Sequence, residues 1–105
     1  MANYVLAYKG GAMGASKEEQ DRIMAAWGQW FGGLGQALVD GGNPFSGKAT
    51  TIDSNGSTRD GASAGLTGYS ILKADDLQAA TTMAKGCPVL MSGGTVEVYE
   101  TIQVM

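Results

Sequence analysis

The sequence predicts an α+β fold on the ferredoxin-like plan, with the element order β-α-β-β-α-β and an antiparallel sheet that carries both helices on one side. Three observations support this prediction. Residues 3–9 form an apolar opening segment that is typical of a strand covered on both faces. Between residues 23 and 38, apolar side chains then recur at the spacing of one face of an α-helix. Residues 95–104 then alternate apolar and polar side chains, as in a strand with one buried face.

The first helix is predicted to begin near Lys17, because Ser16 and Glu19 form a capping box there. The helix is expected to run to Gly41-Gly42. Its apolar stripe consists of Ile23, Trp27, Trp30, Phe31, Leu34 and Leu38. This spacing favours a core-facing stripe over an aromatic surface that stacks on a flat ligand.

Four glycines interrupt the same helix, and each costs about 0.5 to 1 kcal/mol relative to alanine. They are Gly28, Gly32, Gly33 and Gly35. Either they let the backbone approach a neighbouring element closely, or some of them lie on the solvent-exposed side of the helix, where packing requires no particular side chain. The sequence leaves both explanations open.

The middle of the chain is predicted to hold two strands of the sheet, 48–53 and 69–73, separated by a turn at Asn55-Gly56 and a loop over 58–65. A second helix is expected after Asp75, which would cap it with Gln78 in the reciprocal position. In the last strand, one face is expected to meet the helices. That face consists of Val96, Val98, Ile102 and Val104.

This architecture leaves one side of the sheet bare. We expect that side to carry Glu97 and Tyr99, together with Tyr4 and Tyr8, which is more aromatic area than a monomer usually exposes. Two such sheets packed face to face across a two-fold axis would bury it. The charged fraction of 16% is also low for a soluble domain, so a homodimer with a partly polar cavity is predicted.

The composition argues against several classes of partner. The net charge is −3 and the seven Lys and Arg residues are scattered, so a nucleic-acid partner is not expected. No run of roughly 20 apolar residues is present to span a membrane. Histidine is absent and Cys87 is the single cysteine, so neither a metal site nor a cofactor is predicted. The lone thiol and the lack of a signal peptide favour the cytoplasm.

Several segments carry a resemblance to a known family. They are Ala25–Trp27, Leu66–Leu77, Ala84–Pro88 and Gly94–Val98. In these segments the sequence resembles the YCII-related family, which includes the DGPF-domain proteins. The resemblance spans nearly the whole chain and implies one ferredoxin-like domain over residues 1–105, assembled as a dimeric α+β barrel.

The resemblance also implies similarity to barrel enzymes such as small monooxygenases and lactone isomerases, and some members of the family are proposed to use a His–Asp pair. Many relatives carry histidine after the Cys-Pro, but here Val89 follows Cys87-Pro88 and the chain has no histidine. A His–Asp mechanism is therefore excluded. The DGPF motif is also incomplete, since Asp60-Gly61 is followed by Ala62-Ser63 and Pro44-Phe45 lies in a different loop.

Two carboxylates are the candidate catalytic groups. Glu97 would act as a general base if an apolar cavity held it, or it would pair with a basic side chain or a backbone donor. Asp60 is the second candidate. Its neighbour Arg59 could orient a ligand, or the two could form a solvated salt bridge in their loop.

The tyrosines are the candidate ligand contacts, because their hydroxyls can donate hydrogen bonds to a small carbonyl or phenolic compound. They are Tyr4, Tyr8, Tyr69 and Tyr99. Three functional hypotheses follow: a dimer that binds a small apolar molecule between its sheets, a cofactorless barrel enzyme, and an assembly module whose barrel is filled by side chains.

Overall fold

The computed structural model describes residues 1–11 and 16–104. Its strands are β1 (Ala2–Lys9), β2 (Leu38–Asp40), β3 (Thr50–Ile52), β4 (Thr58–Asp60), β5 (Leu66–Ala74) and β6 (Thr95–Glu100). Its α-helices are α1 (Lys17–Leu34) and α2 (Leu77–Ala84). Short 3-10 helices follow each of them, at Gly35–Ala37 and Pro88–Ser92.

The main sheet has four strands in the order β2-β5-β1-β6. Strand β1 is antiparallel to both of its neighbours, and β2 is antiparallel to β5. One helix follows the first strand of this sheet and the other follows the third. The ferredoxin-like prediction is therefore confirmed.

The hydrophobic core lies between this sheet and the helices. Its buried residues include Tyr4, Leu6, Tyr8, Leu72, Ala74, Ala80, Ala84, Cys87 and Val89. Trp27 of α1 packs edge-on against Tyr8, with ring centroids 5.4 Å apart. Trp30 donates from its indole Nε1 to the carbonyl of Met83 at 3.0 Å, which ties α1 to α2. The stripe therefore faces the core, as predicted, through Trp27, Trp30 and Leu34, although no residue of α1 is fully buried.

Both helices begin at side-chain caps. Ser16 Oγ accepts from the backbone N–H of Glu19 at 3.1 Å, so α1 begins at Lys17 as predicted. For α2 the cap is Asp76, whose carboxylate accepts from the N–H of Ala79 at 2.7 Å. The prediction that Asp75 caps this helix is wrong by one residue, because Asp76 has the extended backbone that a capping residue adopts.

Helix α1 ends earlier than predicted. Gly35, with φ of +55°, stops it, and Leu38 lies on edge strand β2 opposite Leu72. Within α1, a Cβ added at Gly28, Gly32 or Gly33 would meet no atom within 4 Å. The close-approach explanation of these glycines is therefore wrong for the single chain.

Strands β3 and β4 form a separate two-stranded hairpin. The predictions that residues 48–53 belong to the main sheet and that 58–65 is entirely loop are wrong. The Asn55-Gly56 turn reverses the chain, and Asn55 Oδ1 accepts from the N–H of Ser57 at 2.9 Å. The returning residues therefore pair locally, and β2 takes the edge position in the main sheet.

The last strand is shorter than predicted, since β6 ends at Glu100. Its register places Glu100 opposite Tyr4, so the chain beyond Thr101 reaches the end of β1 and leaves the ladder. Val96 and Val98 pack towards the core, as expected. Ile102 and Val104 do not, because both are exposed.

The subunit is flat, with principal dimensions of 44 × 39 × 18 Å. Its radius of gyration is 15.2 Å, whereas a compact chain of this length has about 13 Å. Its accessible surface is 7244 Å², whereas a monomer of this mass exposes about 5,500 Å². The short dimension fits one layer of helices on one sheet, so the other side of the sheet is uncovered.

Candidate functional site on the open sheet face

The side of the main sheet that faces away from the helices is called here the open face. Tyr4, Leu6 and Tyr8 of β1 point into the core, so alternation turns Val5 and Ala7 to the other side. Residues that pair directly across neighbouring strands lie on the same face of the sheet. The strand registers therefore assign the residues of β5 and β6 to the two faces. The open face thus carries Val5, Ala7, Tyr69, Ile71, Lys73, Glu97 and Tyr99.

Ala7 lies at the middle of this face. Ala7 pairs with Tyr69 on one side and with Glu97 on the other. The Cα atoms of these two neighbours are therefore about 10 Å apart, twice the strand spacing. Ala7 is only 5% exposed although no second layer covers it, so larger side chains enclose its methyl group.

An aromatic pair lies at the β5 side of the open face. The rings of Phe45 and Tyr69 stack with centroids 5.9 Å apart and planes 27° from parallel. The N–H of Phe45 donates to the carbonyl of Thr67 at 2.8 Å, which fixes the ring beside β5. Phe45 remains 47% exposed. This pair is an anchored aromatic surface that a further ring can contact.

The loop before Phe45 approaches β5 so closely that glycine is required. Gly42 has φ of +71°, and a Cβ at this position would overlap the carbonyl oxygen of Tyr69. A Cβ at Gly68 would lie 3.2 Å from the carbonyl oxygen of Asn43. These two glycines therefore set where Phe45 lies.

Glu97 and Tyr99 occupy the opposite border of the open face, as predicted. Tyr99 is 51% exposed and Glu97 is exposed too. In the part of the chain that the structure describes, no hydrogen bond or ion pair engages the Glu97 carboxylate. The alternative in which Glu97 pairs with a basic side chain or a backbone donor is therefore not found in the single chain.

The comparison with protein families bears on the whole chain. The family model of the YCII-related domain matches residues 2–104. The chain belongs to the YCII-related domain family. No curated protein matches this YCII-related chain.

In this YCII-related chain, Tyr4 and Tyr8 do not lie where the sequence suggested. Both are buried on the helix side of the sheet, so the expectation that they line the bare face is wrong. Residues 3–9 are apolar on both faces, and periodicity alone therefore cannot tell which face meets the helices. The two phenols are not accessible to a ligand on the open face.

The buried phenols have internal partners. Tyr4 donates to the Glu100 carboxylate at 2.9 Å, and burial together with that carboxylate raises the pKa of the phenol. Tyr8 donates to Ser70 Oγ at 2.7 Å, and Ser70 donates to the carbonyl of Gly41 at 2.7 Å. Burial raises the pKa of Tyr8 well above its ordinary value. Both hydroxyls are therefore structural.

Arg59 and Asp60 lie on β4, away from the main sheet. Arg59 forms a two-pronged contact with Asp53, at 3.0 and 3.2 Å, and both partners reach solvent. The expected Arg59–Asp60 pair is therefore wrong. Asp60 is exposed and lies opposite Thr50, and no hydrogen bond within the described ranges joins it to the open face. The structure does not bring Asp60 and Glu97 into one site.

Cys87 is a packing residue in this YCII-related fold. It is buried in the core, and desolvation raises the pKa of its thiol. Within residues 1–11 and 16–104, no group of three or more His, Cys, Asp or Glu side chains could hold a metal ion. The helices of these residues are too short or too polar to cross a membrane.

Sequence reasoning placed Glu97 and Tyr99 on the open face, because the last strand alternates cleanly. It named Tyr69 as a ligand contact without assigning it to a face. It missed Phe45, because Asn43-Pro44 indicates only a loop.

Proposed function

We propose that this YCII-related protein is a homodimer whose two sheets pack through their open faces and enclose a binding site for a small apolar or phenolic molecule. The observation that carries the proposal is the open face, where apolar and aromatic side chains lie beside an unpaired carboxylate. The excess of accessible surface supports it. That excess is about 1,700 Å² per chain, and each partner of a standard interface buries about 800 Å².

The chemistry of the open face favours a small ligand over a sealed interface. Val5 and Ile71 supply apolar surface, and Tyr69 and Tyr99 supply hydroxyl donors. A sealed interface would bury the Glu97 carboxylate, and a buried carboxylate without a partner is unfavourable. A chamber that holds a ligand or water leaves room for a partner to each carboxylate.

A cofactorless barrel enzyme is the second candidate. It is favoured by the relationship of Glu97 to Tyr99, which lie two residues apart on one strand and point to the same side. Glu97 would take a proton from the ligand, and the hydroxyl of Tyr99 would stabilise the negative charge that develops. Asp60 is not part of this proposal, because it lies on the separate hairpin. A cytoplasmic location is part of the proposal, because a lone cysteine forms no internal disulfide that would need an oxidising compartment.

Sedimentation equilibrium at micromolar concentration tests the dimer. The expected mass is twice the 10.8 kDa of the chain. A thermal-shift screen with small phenols and ketones then tests binding. A dimer that no compound stabilises would instead indicate an assembly module with a filled barrel. Monomers alone, with no compound bound, would overturn the proposal. If the protein also turns over a bound compound, and Glu97→Gln abolishes that turnover while binding is retained, the result would favour the enzyme.

A further inference from the structure

We infer that the β3–β4 hairpin is a dimer arm, whose exposed face of β-branched side chains packs on the partner subunit at the rim of the two open faces. The inference rests on the proposed function, because the partner is the second copy whose sheet covers the open face. It adds a contact outside the sheets and names Ile52 as the residue that anchors it.

The hairpin lacks a core of its own. Its strands, Thr50–Ile52 and Thr58–Asp60, have three residues each and form a sheet of two strands only. No residue from position 43 to position 67 is buried. A two-stranded hairpin is at best marginally stable in water unless a further layer covers it. The hairpin would therefore be stabilised by a surface that the single chain does not provide.

One face of the hairpin consists mainly of β-branched side chains. The strand register pairs Ile52 with Thr58, and Thr50 lies two residues before Ile52 on the same face. All three side chains are exposed, and Ile52 is 71% exposed. Asp60, which pairs with Thr50, places a charge at one end of this face. The apolar surface is thus centred on Ile52 and Thr58.

The polar contacts of the hairpin lie on its opposite face. The Thr51 hydroxyl donates to the carbonyl of Gly61 at 2.7 Å. Arg59, which pairs with Thr51 in the strand register, contacts the Asp53 carboxylate at 3.0 and 3.2 Å. Polar groups on this face therefore find partners within the hairpin, whereas the apolar side chain of Ile52 is left in solvent.

The hairpin leaves the main sheet at the border of the open face. Before it, Pro44 forms an isolated bridge with Gly68, and the Phe45 ring stacks on Tyr69 of the open face. After it, the chain enters β5 at Leu66. The excursion therefore starts and ends beside the surface that the proposed dimer covers, so a second copy seated there lies within reach of the hairpin.

The exposed area also favours a partner that contacts more than the open face. The chain exposes 7244 Å², whereas a monomer of this mass exposes about 5,500 Å². The excess of about 1,700 Å² is roughly twice the 800 Å² that each partner of a standard interface buries. A sheet-to-sheet interface of standard size thus accounts for about half of it, and the hairpin supplies further surface to cover.

Photo-crosslinking tests the contact on the full chain. Thr58→Cys places a benzophenone maleimide beside Ile52 and leaves that side chain intact, while the native Cys87 is buried and protected from the reagent. Irradiation is expected to join two chains into a product of twice the 10.8 kDa on a denaturing gel. Met24→Cys is the control, because Met24 is 59% exposed on α1, on the other side of the sheet, and is expected to give no such product.

Substitution of Ile52 tests its role as the anchor. Ile52→Asp is expected to raise the Kd of the dimer at least about 10-fold, because a charge replaces a buried apolar side chain at the interface. Ile52→Val removes one methylene group and is expected to raise the Kd less than about 5-fold. Met24→Asp, the control, leaves the Kd unchanged. Sedimentation equilibrium measures each Kd, and circular dichroism shows whether each variant is folded.

The outcomes separate the dimer arm from the proposed function. A wild-type dimer in which the Thr58 label gives no cross-linked product, or no more than the Met24 label, would overturn the dimer arm and leave the sheet-to-sheet dimer standing. Equal Kd values for Ile52→Asp and Met24→Asp would do the same. A wild-type protein that is monomeric at micromolar concentration would overturn both. If Ile52→Asp does not fold, the cross-linked product decides.

Discussion

Tyr8 on β1 and Ser70 on β5 are joined by a buried hydrogen bond of 2.7 Å between the phenol and the hydroxyl. Ser70 in turn donates to the carbonyl of Gly41, just after β2. One chain of hydrogen bonds therefore connects three strands of the sheet and ends in the loop that leads to Phe45. The position of this aromatic ring on the open face depends on polar contacts within the core.

Ser70→Ala is expected to lower the free energy of unfolding by about 1 to 3 kcal/mol, because it leaves the buried Tyr8 hydroxyl and the partly buried Gly41 carbonyl without this partner. Urea denaturation followed by tryptophan fluorescence measures this loss. Thr81→Ala serves as the control, since the Thr81 hydroxyl bonds only to its own helix, at the Leu77 carbonyl, and lies exposed. Equal effects of the two changes would contradict the proposed role of the chain of hydrogen bonds.

Alkaline pH is expected to destabilise the fold through Tyr8. Burial raises the pKa of this phenol above the ordinary value of 10.0, so the unfolded chain releases the proton first as the pH rises. The stabilising contribution is therefore fully present below pH 10 and is lost above it. Urea midpoints compared between about pH 8 and pH 11 measure the loss.

Tyr8→Phe is expected to reduce this alkaline loss, although the variant is less stable at neutral pH. Tyr99→Phe, which removes an exposed phenol, is the matched control and retains the wild-type pH dependence. The assignment to Tyr8 would fail if Tyr8→Phe lost stability above pH 10 as steeply as the wild type.

Gly28→Ala and Gly32→Ala are each expected to stabilise the subunit by about 0.5 to 1 kcal/mol. Both glycines lie in the interior of α1, and an added Cβ meets no atom there within 4 Å. Thermal melts at low protein concentration measure the gain. Destabilisation that grows with protein concentration would show instead that a second copy packs against this side of α1.

Gly42→Ala is expected to be destabilising by more than about 1 kcal/mol, because the position has positive φ and the new Cβ overlaps the Tyr69 carbonyl. The loop must move, and Phe45 must move with it. NMR shifts of the Tyr69 ring protons would report the loss of stacking. Gly47→Ala is the control, since Gly47 also has positive φ but no atom lies within 4 Å of an added Cβ. Unchanged Tyr69 shifts in Gly42→Ala would contradict this account of the loop.

The parts of the fold that sequence predicted well are those that local chemistry determines. Ser16 caps α1 within one turn of chain, and Val96 and Val98 reveal the buried face of β6 by simple alternation. Strand β2 was missed because its first residue, Leu38, continues the helical spacing, and only the short segment Gly35–Ala37 separates α1 from β2. The hairpin was misassigned because its pairing partner lies in a polar stretch with no strand pattern.

The same division holds for the site. Glu97 and Tyr99 could be assigned to the open face because β6 alternates cleanly. Tyr4 and Tyr8 could not be assigned, since β1 is apolar on both faces and only the helices decide which one they cover. Phe45 reaches the site through the close packing of its loop on β5, a contact between distant parts of the chain that no local pattern carries.

The position of β1 at the centre of the sheet has a consequence for how the polypeptide folds. Its two neighbours come from far along the chain, and the side chains of Tyr4 and Glu100, which meet, are separated by 96 positions. Bringing such distant segments together costs conformational entropy before any stabilising contact forms, so a protein with this topology folds slowly. During synthesis the first strand therefore has no strand partner until β5 and β6 have emerged, and its apolar side chains stay uncovered by the sheet in that interval.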